Sequence, residues 1–291
     1  MLQLGVNVVV LAAIYALIAA GYVIIYRVSR VLNLAHGELM MLGAYLLLTT
    51  ATALPLGPIG AVLFASFLSA LVGLLVYFVL MRWMTGQAVL AAILTTIAFG
   101  IFLRGFTVLV WGTQHQYPGK VLAITDAPIR IAERAVISTV SLVILLTTIA
   151  AYAGLFVFLR FGRWGMRMRA CGQNPLLAAQ SGINLHTVYA LAWAISTFTG
   201  AVAGILVSLE NGMDTGIAVI GLKAFPAALV GGLDSLAGAL LGALIVAAAE
   251  VTAIQLVNPL LSDVIPFVIL ILMLAIRPWG FFGTREELDR V

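Results

Sequence analysis

The sequence predicts an all-α fold: a polytopic transmembrane helical bundle of eight to nine membrane segments. At least one segment is expected to be broken or re-entrant, and a short helix is expected in a cytoplasmic loop. Three observations carry this. Of 291 residues, 63% are hydrophobic and only 9% are charged, whereas a soluble domain is nearer one quarter charged, so there is too little polar surface to cover a water-soluble globule. The apolar residues gather into runs near the 20 or so residues needed to cross about 30 Å of hydrocarbon. Arginine is concentrated in some of the connections, as the positive-inside bias requires.

The runs cover residues 4–26, 31–53, 59–81, 88–111, 136–159, 188–209, 216–233, 236–257 and 262–277, within a single domain of 1–291. The first is expected to be a retained helix. Met1 is followed by "LQLGVN", with neither the basic start nor the small-residue cleavage site of a signal peptide. Two runs are irregular. The run 31–53 opens on "VLNLAHGELMMLGAY", which holds Asn33, His36, Gly37 and Glu38, and the run 216–233 holds Lys223 and Pro226. Either is a candidate for the broken or re-entrant element.

Orientation follows from the basic residues. Loop 160–187 carries Arg160, Arg163, Arg167 and Arg169 and no acid, which makes it cytoplasmic. Counting outward places Arg27, Arg30 and Arg82 on the same side, along with the C-terminal tail of Arg277, Arg285 and Arg290. Loop 112–134 then falls outside in spite of Lys120, Arg130 and Arg134, whose charge Asp126 and Glu133 offset in part. The N-terminus is external if all nine runs cross, and internal if one does not.

Several classes are excluded. One cysteine, Cys171, leaves no internal disulfide and no multi-cysteine metal site, and neither metal nor cofactor is expected. The net charge of +4 reads as loop arginine, with no nucleic-acid partner implied. Gly119-Lys120 is followed by Val121 and lacks a glycine five residues earlier, so there is no Walker A loop; any ATP hydrolysis belongs to another chain.

Within loop 160–187, Asn174 followed by Pro175 is an N-cap with proline at the first helical position, and Gly182 is the stop. A helix over about 175–181 follows, exposing Leu176, Leu177, Ala178 and Ala179. It reads equally as a docking surface and as a helix lying on the membrane, with the upstream arginines reaching lipid phosphate.

Polar groups inside hydrocarbon mark either a translocation path or helix–helix contacts. The candidates are Asn33, His36, Glu38, Arg104, Lys223 and Glu250. On an unbroken helix Asn33, His36, Met40 and Gly43 share a face, and Glu38 points about 160° away from His36 at 100° per residue. The two therefore do not form one site. Asn33 and His36 are expected nearer the path or a partner surface. Glu38 is expected to be held among helices by a cation, Arg104 or Lys223, because a lone buried carboxylate is costly. Gly37 serves a bend or a close approach, Gly231 and Gly232 a tight turn, and Gly238 and Gly242 a close helix crossing. A self-contained carrier using Glu38 or Glu250 as a proton site is a competing reading. An intramembrane enzyme is another, poorly served because His36 and Glu38 make no HExxH pattern.

Three stretches in order, "LNLAHGELMMLGAY", "MRACGQNPLLAAQSGIN" and "KAFPAALVGGLDSLAGALLGALIVAAAE", make the chain resemble the smaller permease subunit of bacterial ABC importers for branched-chain amino acids. The likeness runs over about residues 5–283, and the family is shared with urea, short-chain amide and aromatic-acid importers. It implies a transport subunit that is not an enzyme, forming half of a translocation path in the bacterial cytoplasmic (inner) membrane. It also implies a second related permease, two cytosolic ATPases and an external substrate-binding protein as partners. Residues Asn174, Pro175, Leu176, Leu177, Ala178, Ala179 and Gly182 would then form the coupling helix that contacts an ATPase. Asp234 stands in the "GGLDS" turn where the family often has small residues.

Overall fold

A computed structural model describes residues 2–124, 126–132 and 135–284. Glu133, Arg134, Arg285 and Arg290, used above for orientation, lie outside the described residues.

Helix α1 (Leu2–Ser29) has no polar face, and a helix that is apolar all round belongs in the interior. It runs about 42 Å at 1.5 Å per residue and is mostly buried. It shares the centre of the bundle with α9 (Leu185–Asn211), and α2 (His36–Ala53), α10 (Ile217–Gly231) and α11 (Leu236–Leu256) pack around the pair. Helices α3 (Pro58–Val79), α4 (Val89–Trp111) and α6 (Thr139–Phe161) lie outside and turn side chains such as Leu63, Ile101, Leu109 and Leu146 outward. Helix α12 (Ile265–Ile276) flanks α10 and α11. Each of the nine apolar runs therefore contains a helix. Six of these, α1, α3, α4, α6, α9 and α11, are long and apolar enough to cross a membrane.

Serine and asparagine set several helix starts by accepting an orphan N–H. Ser138 accepts from Ser141 at α6, Asn184 from Thr187 at α9, and Ser235 from Gly238 at α11. Pro226 sits inside α10 without ending it, as neighbouring helices allow in membrane bundles.

Two features depart from the sequence expectation. Residues Pro128–Ala132 (β1) and Ala135–Ser138 (β2) form an antiparallel hairpin, preceded by the one-turn α5 (Pro118–Val121). The alternation there is too short to stand out between apolar runs. The side-chain amide of Gln3 bonds both backbone groups of Val136, so the hairpin closes over the start of α1. In addition, residues expected as loop form α7 (Arg163–Gln173), whose buried positions Gly165, Met168 and Cys171 recur at helical spacing.

The bundle has two distinct ends. The hairpin and the α1 N-terminus mark one. The other carries Arg27, Arg30, Arg160, Arg163, Arg167 and Arg169 around α7 and α8 (Pro175–Gln180). The α10–α11 turn lies at the arginine end too, and the C-terminal segment folds back onto it. Phe281 and Phe282 N–H donate to the carbonyls of Val230 and Gly231 at 2.9 and 3.0 Å. Asp234 accepts from Thr284 through backbone N–H and hydroxyl. Gly232, at φ 108°, is where this turn needs glycine. The expected Gly231–Gly232 turn and the Gly238–Gly242 crossing are both present: a methyl on Gly238 would overlap the Gly231 carbonyl, and one on Gly242 the Ala227 carbonyl.

Candidate functional site

The polar segment around His36 is organised by a break between helices. The chain leaves α1 at Arg30 with φ 55°, and residues 31–33 carry no helical structure before a turn at 34–35. Helix α2 then begins beside the middle of α1, with His36 Nε2 3.2 Å from the Ile18 carbonyl oxygen. Asn33 therefore lies off the helix and helps to start it, accepting from Ala35 N–H at 3.1 Å. The Leu34 N–H, left free by the break, donates to Thr96 Oγ1 on α4 at 3.1 Å.

His36 and Glu38 diverge as the helical rotation requires. His36 is fully enclosed. Its ring stands edge-on to Tyr22, with centroids 4.6 Å apart, its Nδ1 is 3.4 Å from Ser196 Oγ, and it fills a notch made by Gly21 and Gly200. Met40 and Gly43 continue the same face against α9. Glu38 points to α4, where Arg104 Nη2 donates to its Oε1 at 3.1 Å. Asn33 and His36 were expected nearer the translocation path or a partner surface, and Glu38 held among helices by a cation. Asn33 and His36 are both buried within the chain, whereas Glu38 and Arg104 line a crevice of about 240 Å³ between α4 and α10. Gly37 provides close approach: a methyl there would overlap the Ala218 carbonyl, and one on Gly221 the Gly37 Cα.

Lys223, the other candidate partner of Glu38, belongs to a separate cluster. Its ammonium donates to Glu250 Oε1 at 3.0 Å and to Ser262 Oγ at 2.7 Å, and lies 2.9 Å from Asp263 Oδ1. Glu250 also accepts from Tyr15 at 2.6 Å and Ser262 at 2.7 Å. Four elements, α1, α10, α11 and the turn 259–263, meet in this brace. Tyr15, Ser262 and Asp263 were missed in the sequence. Tyr15 is one aromatic in an apolar run, and Asp263 was taken into the start of the last one.

At the arginine end, Asn174 Oδ1 accepts from Leu177 N–H at 3.0 Å and Gly182 takes φ 80°, so the expected cap and stop frame α8. One position differs. Leu176 and Leu177 are exposed, but Ala178 is only 4% exposed, because one side of this single turn must pack inward. Cys171 is also buried, and desolvation pushes its thiol pKa up. Among the described residues no group of three His, Cys, Asp or Glu is placed to hold a metal ion.

Residues 4–274 match the family model for the permease component of branched-chain amino acid transport systems. The chain belongs to that permease family. Its relatives include the high-affinity branched-chain amino acid transport system permease protein LivH of Escherichia coli K12, 33% identical over all of this chain and 97% of the relative. The LivH of Salmonella typhimurium is 32% identical over the same shares, and BraD of Pseudomonas aeruginosa is 31% identical over all of this chain and 98% of its own length. Membership makes the chain a membrane transport component, and in such a permease buried polar groups serve passage or packing.

Proposed function

We propose that this chain is one half of the membrane unit of an ATP-driven importer of branched-chain amino acids. The observation that carries the reading is the end-to-end match to permeases named for that substrate class. The chain itself would perform no chemistry. ATP hydrolysis would fall to two ATPase chains, a second related permease would complete the path, and an external binding protein would deliver substrate.

In this reading the arginine end faces the cytoplasm, which the clustering of Arg27, Arg30 and the α7 arginines supports. The hairpin and the N-terminus face outward. All nine apolar segments then cross, with α2, α10 and α12 supplying shorter helices whose non-helical approaches complete the passage. This is supported by α2 starting level with Ile18, and by the approach to α2 being enclosed, with Asn33 and Ala35 buried as backbone off the helical ladder requires in a membrane. Helix α8 would dock on an ATPase through Leu176 and Leu177, passing on the difference between two nucleotide states as a shift of the bundle.

The test is co-expression with the partner chains and reconstitution into lipid vesicles. Leucine uptake that requires both ATP and the loaded binding protein is expected. Uptake by the purified chain alone on a proton gradient would replace this reading with that of a carrier, and uptake of urea or an aromatic acid in place of leucine would change the substrate.

A further inference from the structure

We infer that the Glu38–Arg104 crevice is a transient site for the zwitterionic head and branched side chain of the transported amino acid. This rests on the importer reading and adds to it the place where substrate pauses.

The chemistry of the crevice matches both ends of such a molecule. Arg104 offers a planar guanidinium, the group best shaped to take a carboxylate in two parallel bonds. Glu38 offers an acceptor for an ammonium. The two hold each other by a single Nη2–Oε1 contact of 3.1 Å, which leaves Glu38 Oε2 and most of the five guanidinium donors to a third party. The walls are aliphatic, with Ile97, Ile101, Val219 and Leu222, as a branched side chain requires. A water takes up about 30 Å³ of liquid, so about 240 Å³ suits a small amino acid and is below the range of larger ligands.

Exposure points the same way. The Arg104 side chain is 49% exposed on a helix whose other outward residues are apolar. A guanidinium turned to hydrocarbon is expensive, so this opening faces water or a partner chain, where substrate passes. Glycine lets the acid lie against α4: a methyl at Gly100 would stand 3.2 Å from Glu38 Oε2. The Lys223 brace is the contrast. There Glu250 already accepts from three donors and Lys223 already meets three oxygens, so that cluster has little left to offer a ligand. A site on a route must also release its cargo, and an ion pair that re-forms behind the substrate supplies the push.

The experiment places cysteine at Val219 in the complete importer with its partner chains freed of cysteine; the one native cysteine of this chain, Cys171, is buried, and the importer without the new cysteine is the labelling control. A charged methanethiosulfonate reagent should react with Val219→Cys, leucine turnover should slow that reaction, and the label should stop leucine uptake while the ATPase still responds to the loaded binding protein. No reaction, or full labelling with parental uptake, would overturn the assignment. Leu222→Cys, on the same wall, is scored in the same way should Val219→Cys fail to assemble. Failure of the importer reading looks different: the unmodified parent would then show no ATP-dependent leucine uptake.

Discussion

Lys223→Met tests the brace in quantitative terms. Glu250 is 2% exposed. Without the ammonium its carboxylate keeps only two neutral donors, Tyr15 at 2.6 Å and Ser262 at 2.7 Å. Removing one partner of a buried ion pair costs about 3–5 kcal/mol, and the two remaining hydroxyls place this case near the lower bound, about 3 kcal/mol. Glu250→Gln is milder. Lys223 keeps Asp263 and Ser262, so exchanging a charge-assisted bond for a neutral one costs about 1–2 kcal/mol. At about 2–4 °C per kcal/mol for a chain of this order of size, Lys223→Met should melt roughly 6–12 °C lower and Glu250→Gln roughly 2–8 °C lower. Tryptophan fluorescence of the purified complex during heating reads both. The apolar pair Lys223→Met with Glu250→Leu should be more stable than Lys223→Met alone, since no buried orphan charge is left and the remaining Asp263 is 76% exposed. If Lys223→Met melts with the parent, or the double variant melts below Lys223→Met, the cluster is not a brace and the argument from saturation fails.

Gly238→Leu should abolish accumulation of folded chain in membranes, because a side chain there enters the Gly231 carbonyl; parental levels on a membrane blot would contradict the crossing. Leu177→Arg, at a position 57% exposed, should release the ATPase or uncouple its turnover from leucine uptake, and normal coupled uptake would remove α8 from the docking surface. His36→Ala empties the Gly21–Gly200 notch and should cost about 2–4 kcal/mol, seen as a lowered melting temperature with the ATPase still bound. Asp234→Ala frees Thr284 and should make the C-terminal segment cleavable by added protease at the arginine end; resistance equal to the parent would show that the backbone bonds of Phe281 and Phe282 hold it alone.

What the sequence disclosed follows the range of each signal. Apolar runs are local and set by hydrocarbon thickness, so all nine were visible, and so were the Asn174 cap and the Gly182 stop, which act within a few residues. The opposed directions of His36 and Glu38 followed from 100° per residue alone. The helix start did not: the run from residue 31 read as helix, whereas the ordered break that lets Asn33 start α2 depends on Thr96, 62 residues away from its partner Leu34. The inward turn of Ala178 was likewise hidden, since a single turn shows no period. The same range separates the two ion pairs. Glu38 had two possible cations in sequence, Arg104 and Lys223, and only the meeting of Tyr15 with Glu250, 235 residues apart, decides which it receives. Once Lys223 is committed to that saturated brace, Glu38 is left with the half-exposed Arg104. One acid of the bundle is thereby fully satisfied and fixes helices, while the other keeps an open valence beside an aliphatic wall. That inequality, more than the presence of charges in the membrane, is what separates a packing contact from a place where a zwitterion can stop and move on.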